Sequence, residues 1–269
     1  MRPFRTDESE YNQSIAVDAS SVGDITVTVA VHASRGEELD ILDSIYTSTE
    51  GHSFYPFRHK SQKLDFDEDY EILSTIVHDN IGRISSTVHL GNDGSDQESI
   101  EAVQSAVLVK ELEPSDTLVI LDGDENKAKR FGRAFLGIRD AVPPVATCIQ
   151  SELYYPSALL ADLCASKLAN EIDSNSDCSD VSPETPITKK ALSEYWGPAY
   201  HSMVNSSESV QIEPIKQRRS ERVSTRMHCW FNGYMGGGEP IQTDKSVAPI
   251  SNYVRRMGYE NLSKQFSKV

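Results

Sequence analysis

Residues 14–32 have the sequence SIAVDASSVGDITVTVAVH, and the alternation within this stretch decides the fold class. Apolar residues at Ile15 and Val17, and again from Ile25 to Val31, alternate with small or polar residues, which is the pattern of half-buried β-strands. The segment SSVGD between the two runs is rich in turn-forming residues. We therefore predict two antiparallel strands joined by a turn near the start of the chain.

Helices and further strands follow this hairpin in alternation. Apolar residues at helical spacing predict helices over 68–80, 97–112 and 157–172. Strands are predicted over 83–90, 117–121 and 144–150. The middle one, TLVIL, is apolar enough to be buried on both faces. A hairpin followed by alternating strands and helices predicts an α/β fold, with a mixed sheet flanked by helices.

A polar segment separates this α/β region from the end of the chain. Residues 173–186, DSNSDCSDVSPETP, contain few apolar residues and are typical of a linker. We therefore expect an α/β domain over 1–172 and a basic C-terminal region over 187–269. That C-terminal region either contacts nucleic acid or forms a small appendage whose cations pair with the acidic domain.

The chain is strongly acidic, with 26 Lys and Arg against 41 Asp and Glu and a formal net charge of −15. Such a charge normally repels nucleic acid, but in molar salt the Debye length falls to about 3 Å and the repulsion is screened. The composition therefore favours a halophilic source, such as an archaeon or one of its viruses or plasmids. The charge is also uneven, since residues 187–269 contain 12 basic and 7 acidic residues, which indicates regions with different partners.

Apolar runs and cysteine spacing argue against several classes of protein. No run of about 18 apolar residues is present, so a transmembrane helix is not expected, and the polar stretch Met1–Asn12 does not resemble a signal peptide. We therefore expect a cytoplasmic protein without a membrane partner. The four cysteines form no CxxC pair of the kind that zinc sites use.

Two acidic residues stand where a strand should be apolar or has just ended. Asp18 directly follows Ile15-Ala16-Val17, although Asp is disfavoured in strands. Asp122 ends the apolar strand at the edge where open α/β sheets place their ligand sites. The alternatives are that Asp18 begins a turn with Ser20 and Ser21, and that Asp122 only supplies Asp-Gly turn chemistry.

Two more acids flank the sequence YYP. Glu152 precedes it, and Asp162 follows as the only charge between Ser157 and Ser166 on an otherwise apolar helix. A carboxylate on an apolar face is costly unless it is paired or bound to a metal. The alternative is that Asp162 lies on a solvent-facing stripe with Ser166 and Asn170. Carboxylates that converge from different elements are what a Mg²⁺-dependent phosphodiesterase needs.

Three passages, AVDASSVGD, LVILDG and SELYYPSALLADLCAS, occur in an order that resembles ribonuclease HII over roughly residues 14–172. The resemblance implies an RNase H-like fold and a metal-dependent nuclease that uses Mg²⁺ or Mn²⁺ and acts on RNA in an RNA–DNA hybrid. It places Asp18 and Asp122 at the family's first and third acids and Glu152 at its last acid. Asp162 falls on a serine of the family's helix.

The sequence departs from the family pattern at the opening motif. Ala19 replaces the second acid, and residues 20–23 replace the Gly-Arg-Gly that reads the ribose 2′-hydroxyl in the family. Two interpretations follow from this difference. Either Asp162 supplies the acid that is missing at Ala19, or the chain is a non-catalytic RNase H-like module that binds nucleic acid or a protein.

Cations that could contact a nucleic-acid backbone occur in two parts of the chain. Lys127, Lys129 and Arg130 follow the Asp-Gly turn and could neutralise phosphate. In the C-terminal region, basic residues are interleaved with aromatic residues, a pattern that suits backbone contact and base stacking. The C-terminal candidates are Arg218, Arg219, Arg222, Arg255 and Arg256. The sequence leaves the oligomeric state open.

Overall fold

The predicted hairpin is present at the start of the sheet. In the computed structural model, strands β1 (Gln13–Val22) and β2 (Ile25–Ser34) pair antiparallel around a turn at Gly23 and Asp24. Gly23 has a φ of 57°, a left-handed conformation that glycine adopts without steric cost. The structure describes residues 11–90, 96–110, 117–139, 145–175, 223–231, 235 and 246–269.

Three further strands complete one mixed sheet. Strand β3 (Ile84–Leu90) pairs antiparallel with β2, β4 (Thr117–Asp122) pairs parallel with β1, and β5 (Val145–Cys148) pairs parallel with β4. The strand order is therefore β3-β2-β1-β4-β5. The predicted α/β class, a mixed sheet flanked by helices, is confirmed.

In the α/β region the three predicted helices are present, and the described residues there contain two more α-helices that were not predicted. The predicted ones are α2 (Tyr70–Asn80), α3 (Gln97–Val109) and α5 (Pro156–Asn175). The additional ones are α1 (Arg35–Ser48) and α4 (Glu125–Leu136).

Side-chain caps explain where the two additional helices begin. At the start of α1, the Ser34 hydroxyl accepts from the Glu37 amide, and the Glu37 carboxylate accepts from the Ser34 amide, which is a capping box. At the start of α4, the Asp124 carboxylate accepts from the amides of Asn126 and Lys127. Each of these helices carries five charged residues, which separate its apolar residues in the sequence.

The end of the α/β region in the structure differs from the predicted boundary at residue 172. Helix α5 continues to Asn175, so residues 173–175 belong to a helix rather than to the linker, because they extend the backbone hydrogen bonding of α5. The rest of the linker lies outside the described residues.

Three short helices of the C-terminal region are packed into the main core. They are α6 (Val223–Trp230), α7 (Ala248–Arg256) and α8 (Glu260–Phe266). Their apolar side chains share one buried cluster with residues of β1, α1, β4 and α5; the C-terminal members are Met227, Trp230, Phe231, Val247, Ile250, Val254, Leu262 and Phe266. The described part of the C-terminal region is therefore part of the same hydrophobic core.

The alternation of β1 and β4 sorts their side chains onto two faces of the sheet. Ile15 and Val17 pack with side chains of α3 and α4, whereas Ala16 packs with α1, α5 and the C-terminal helices. On β4, Leu118 and Ile120 share the face of Ala16. Since side chains alternate along a strand, position 18 of β1 and position 122 of β4 belong to the α5 face. No helix within the described ranges has the length and hydropathy needed to cross a membrane.

Candidate active site

Asp18 and Asp122 lie side by side at one edge of the sheet. In the parallel pairing of β1 with β4, Val17 is opposite Leu121, and the two acids come next on their strands. Asp18 lies inside β1, which runs on to Val22, so the alternative that Asp18 begins a turn is wrong. Its Oδ1 accepts from the Ala19 amide at 2.8 Å.

The Asp-Gly step after β4 fixes the surroundings of Asp122. Gly123 has a φ of 141°, and a Cβ at this position would lie 2.8 Å from Cδ of Lys127. Glycine therefore allows the Lys127 side chain to fold over the turn next to Asp122. The Asp122 Oδ1 accepts from the Ser151 amide at 3.2 Å, so Asp122 both precedes the turn and belongs to the group of candidate carboxylates.

Glu152 lies in a short 3₁₀ turn, Ser151–Leu153, that follows β5. Its side chain is only 2% exposed, and the Lys60 ammonium lies 3.3 Å from its Oε1. The Oε2 atom is buried and accepts no hydrogen bond from another described residue. A buried carboxylate oxygen without a donor is costly and needs a partner.

Asp162 extends from α5 toward the loop between α1 and α2. Both of its oxygens are engaged, because the Ser61 amide donates to Oδ2 at 2.5 Å and the Ser61 hydroxyl donates to Oδ1 at 2.7 Å. The residues that would share a solvent-facing stripe with it, Ser166 and Asn170, are also half-buried. Asp162 is therefore part of that stripe and also part of the carboxylate group.

The four carboxylates influence one another electrostatically. Burial, followed by the charges of Asp162 and Asp122, holds the pKa of Asp18 well above its ordinary value. Burial, followed by Asp122 and Asp162, raises the pKa of Glu152 to about 7. Burial also raises the pKa of Asp162, although the Ser61 hydrogen bonds and Lys60 act in the opposite direction. Four like charges are thus held in one region of low exposure.

The four acids are close enough to interact but do not form a finished metal site. Within the described parts of the chain, no three acidic, histidine or cysteine side chains are arranged closely enough to hold a metal ion as they stand. Any ion bound here would require rotation of these side chains.

Two lysines lie beside the carboxylates. Burial lowers the pKa of Lys127, but the charges of Asp18, Glu101 and Asp122 outweigh this effect and raise it; the Lys127 ammonium is 3.4 Å from the Glu101 carboxylate. Lys60 was not predicted from the sequence. It comes from the loop before α2, about 90 residues earlier in the chain than Glu152, and no local pattern in that loop indicates its position.

The other predicted nucleic-acid contacts are spread over the molecule. Lys129 and Arg130 are exposed on α4, where Arg130 forms an ion pair with Glu98 of α3. Arg255 and Arg256 are exposed on α7. The predicted contacts Arg218, Arg219 and Arg222 lie outside the described residues.

An open cleft of about 720 Å³ lies between α3 and α4, beside the Asp122 turn. Cations of α4 and acids of α3 face each other across it. Its charged lining consists of Glu98, Glu101, Asp124, Lys127, Lys129, Arg130 and Arg133. Lys127 is common to this cleft and to the surroundings of Asp18 and Asp122.

Among known proteins, this chain is similar to solved structures of low sequence identity. No family model matches the sequence, and no curated protein matches it. The crystal structure of Bst-RNase HIII in complex with Mn²⁺ is 17% identical with a TM-score of 0.42, covering 62% of this chain and 54% of that chain. The ribonuclease H2 from Pyrococcus horikoshii OT3 is 13% identical with a TM-score of 0.44, covering 96% of this chain and 100% of that chain. The chain thus spans about half the length of Bst-RNase HIII, and neither identity is high enough to transfer a reaction to it.

Proposed function

We propose that this chain is a metal-dependent nuclease that hydrolyses phosphodiester bonds in nucleic acid, with RNA in an RNA–DNA hybrid as the first substrate to test. The observation that carries the proposal is the group of carboxylates from β1, β4, the turn after β5 and α5. They are drawn from four elements and lie in one region of low exposure, and burial, followed by the charges of neighbouring carboxylates, raises the pKa of Asp18, Glu152 and Asp162. Such groups of perturbed acids are typical of functional sites.

The donor atoms fit a hard divalent cation. Asp18, Asp122, Glu152 and Asp162 offer only carboxylate oxygens, the ligands that Mg²⁺ and Mn²⁺ prefer. The buried Oε2 of Glu152 lacks a donor, and a cation would supply its partner. When bound, the cation supplies Lewis acidity that activates water and stabilises the leaving oxygen.

Residues of the chain itself would orient the carboxylates and neutralise the phosphate. The amides of Ala19 and Ser151 orient the carboxylates of Asp18 and Asp122. Lys127 is positioned beside both acids, where its ammonium would neutralise the phosphate that is cleaved. Lys129 and Arg130, on the same helix, would extend the contact along the nucleic-acid backbone.

One observation favours a second candidate, a non-catalytic RNase H-like module that binds nucleic acid or a protein. Lys60 and Ser61 already contact Glu152 and Asp162, and the described residues contain no ready metal-binding group. In such a module the lysine and the serine would satisfy the buried acids permanently. The two candidates differ in activity, because only the nuclease would cleave nucleic acid when a divalent metal ion is present.

The test is cleavage of a labelled RNA–DNA hybrid and of DNA with one embedded ribonucleotide, in Mg²⁺ or Mn²⁺, at low and at molar salt. We expect Asp18→Asn and Asp122→Asn to lower the rate about 100-fold or more, because each removes a charged ligand. Asp67→Asn, on an exposed loop, is the matched control. Full activity in both site variants would overturn the proposed site, and binding without turnover would favour the module.

A further inference from the structure

The carboxylate group has two halves with different surroundings. Glu152 and Asp162 face the loop that carries Lys60 and Ser61. Asp18 and Asp122 lie on adjacent strands and accept hydrogen bonds from backbone amides. Lys127, whose charge acts on both acids, is paired with Glu101.

In the half formed by Glu152 and Asp162, the side chain of Lys60 supplies a positive charge. Its ammonium is 3.3 Å from Glu152 Oε1, and its side chain is 30% exposed whereas that of Glu152 is 2% exposed. An ammonium is a compact point charge, so it can occupy the position of a small cation between carboxylates. The charges of Glu152, Asp162 and Asp122 all act on Lys60.

The loop that carries Lys60 is held in place from the opposite end of the chain. Phe57 is buried and has a left-handed φ of 62°, a strained conformation for a bulky residue. Its carbonyl accepts from the buried Arg226 of α6 at 2.9 Å, and its ring packs on Trp230 at 5.5 Å between centroids. Packing and this hydrogen bond thus hold the loop at Phe57, three residues before Lys60.

We propose that the Lys60 ammonium replaces one of the two cations that a four-carboxylate phosphodiesterase site would take, so that this chain binds a single divalent ion on the Asp18–Asp122 side. The inference rests on the proposed function, because it presumes that the group binds metal. Lys60 then supplies one positive charge to the Glu152–Asp162 half, and the divalent ion is held by the Asp18–Asp122 half.

The test counts Mn²⁺ ions bound per full-length chain, by the electron paramagnetic resonance signal of free Mn²⁺ and by calorimetry. We expect one ion for the natural chain and two for Lys60→Met. We expect one ion again for Lys60→Arg, which keeps the charge, and for Lys63→Met, an exposed lysine of the same turn. Circular dichroism of each variant shows whether it is folded.

The outcomes separate this inference from the proposed function. Two ions in the natural chain, or one ion in a folded Lys60→Met, would overturn the role of Lys60 and leave a metal-dependent nuclease intact. Absence of Mn²⁺ binding at millimolar concentration in the natural chain and in Lys60→Met would overturn both. Loss of the single ion in Asp18→Asn would support its position beside β1 and β4.

Discussion

Glu38 is a buried acid that lies apart from the four carboxylates. It is on α1 and fully buried; the Ser14 hydroxyl donates to its Oε1 at 3.1 Å, and the Ser157 amide donates to its Oε2 at 3.0 Å. It therefore connects β1 to the first turn of α5, the helix that carries Asp162. Burial raises the pKa of Glu38 to about 7, although these hydrogen bonds act in the opposite direction.

We expect Glu38→Gln to remove part of the pH dependence of stability. A carboxyl whose pKa rises from 4.5 to about 7 on folding contributes stability below pH 4.5, and this contribution is lost as the pH rises to 7. The free energy of unfolding of the variant relative to the natural chain should therefore rise by about 3 kcal/mol from pH 4 to pH 8. Denaturant titrations across this range measure it, with exposed Glu50→Gln as control; a constant difference would contradict the prediction.

The sequence indicates some residues of the candidate site but not those that reach it through contacts between distant parts of the chain. Asp18 and Asp122 are visible because each stands within or at the end of an apolar strand, and parallel strands bring such positions together. Lys60 and Ser61 reach the site only through contacts across the fold, such as the hydrogen bonds from Ser61 to Asp162. Nothing in the local sequence encodes contacts at that separation.

The loop between α1 and α2 depends on α6 for its position. Arg226 donates to the Phe57 carbonyl and lies with its guanidinium 5.8 Å from the centre of the Tyr154 ring. Tyr154 in turn follows Glu152 by two residues, so Arg226 contacts the segments on both sides of the Lys60–Glu152 ion pair. Helix α6 is a positioning element for the site.

We expect Arg226→Met to loosen this loop. Loss of a hydrogen bond from a charged donor should lower the free energy of unfolding by about 2 kcal/mol. Amide hydrogen exchange over residues 58–63 should become about tenfold faster or more, because the left-handed Phe57 loses its constraint. Arg255→Met, on exposed α7, should leave that exchange unchanged. Unaltered exchange in Arg226→Met would show that packing of Trp230 alone holds the loop.

Elements with clear apolar periodicity were predicted, and those defined by their caps were not. Strand β4 is almost wholly apolar and α5 begins with a largely apolar stretch, and both were found from the sequence. Helices α1 and α4 begin at Ser34 and Asp124 caps and each carry five charged residues, so their burial depends on the sheet they cover. A weak apolar stripe becomes a helix only when tertiary packing stabilises it.

At the scale of the molecule, the C-terminal helices and the sheet should unfold together. Phe266 of α8 is fully buried and packs on Tyr46 of α1 with ring centroids 5.8 Å apart. We expect Phe266→Ala to lower the free energy of unfolding by about 3–5 kcal/mol and to speed amide exchange in β1 and β4 as well. Val269→Ala, at an exposed position, is the control. Faster exchange confined to residues 246–269 would instead indicate a separate unit.

The acidic composition leads to a prediction about salt. With a net charge of −15, screening of repulsion between 0.1 and 2 M NaCl should raise the melting temperature by about 3 °C or more at pH 7. The effect should shrink near pH 4.9, the isoelectric point. A melting temperature that is insensitive to NaCl at pH 7 would contradict the halophilic hypothesis.

The contact between Arg226 and Phe57 also limits when the site can form while the chain is being synthesised on the ribosome. All four carboxylates have been translated once Asp162 is added, whereas Arg226 follows several seconds later at roughly 5–20 residues per second. A nascent chain therefore carries all four carboxylates before α6, which contacts the Lys60 loop at Phe57, has been synthesised. We expect the site to reach its final form only after α6 has been synthesised and has docked against the loop that carries Lys60.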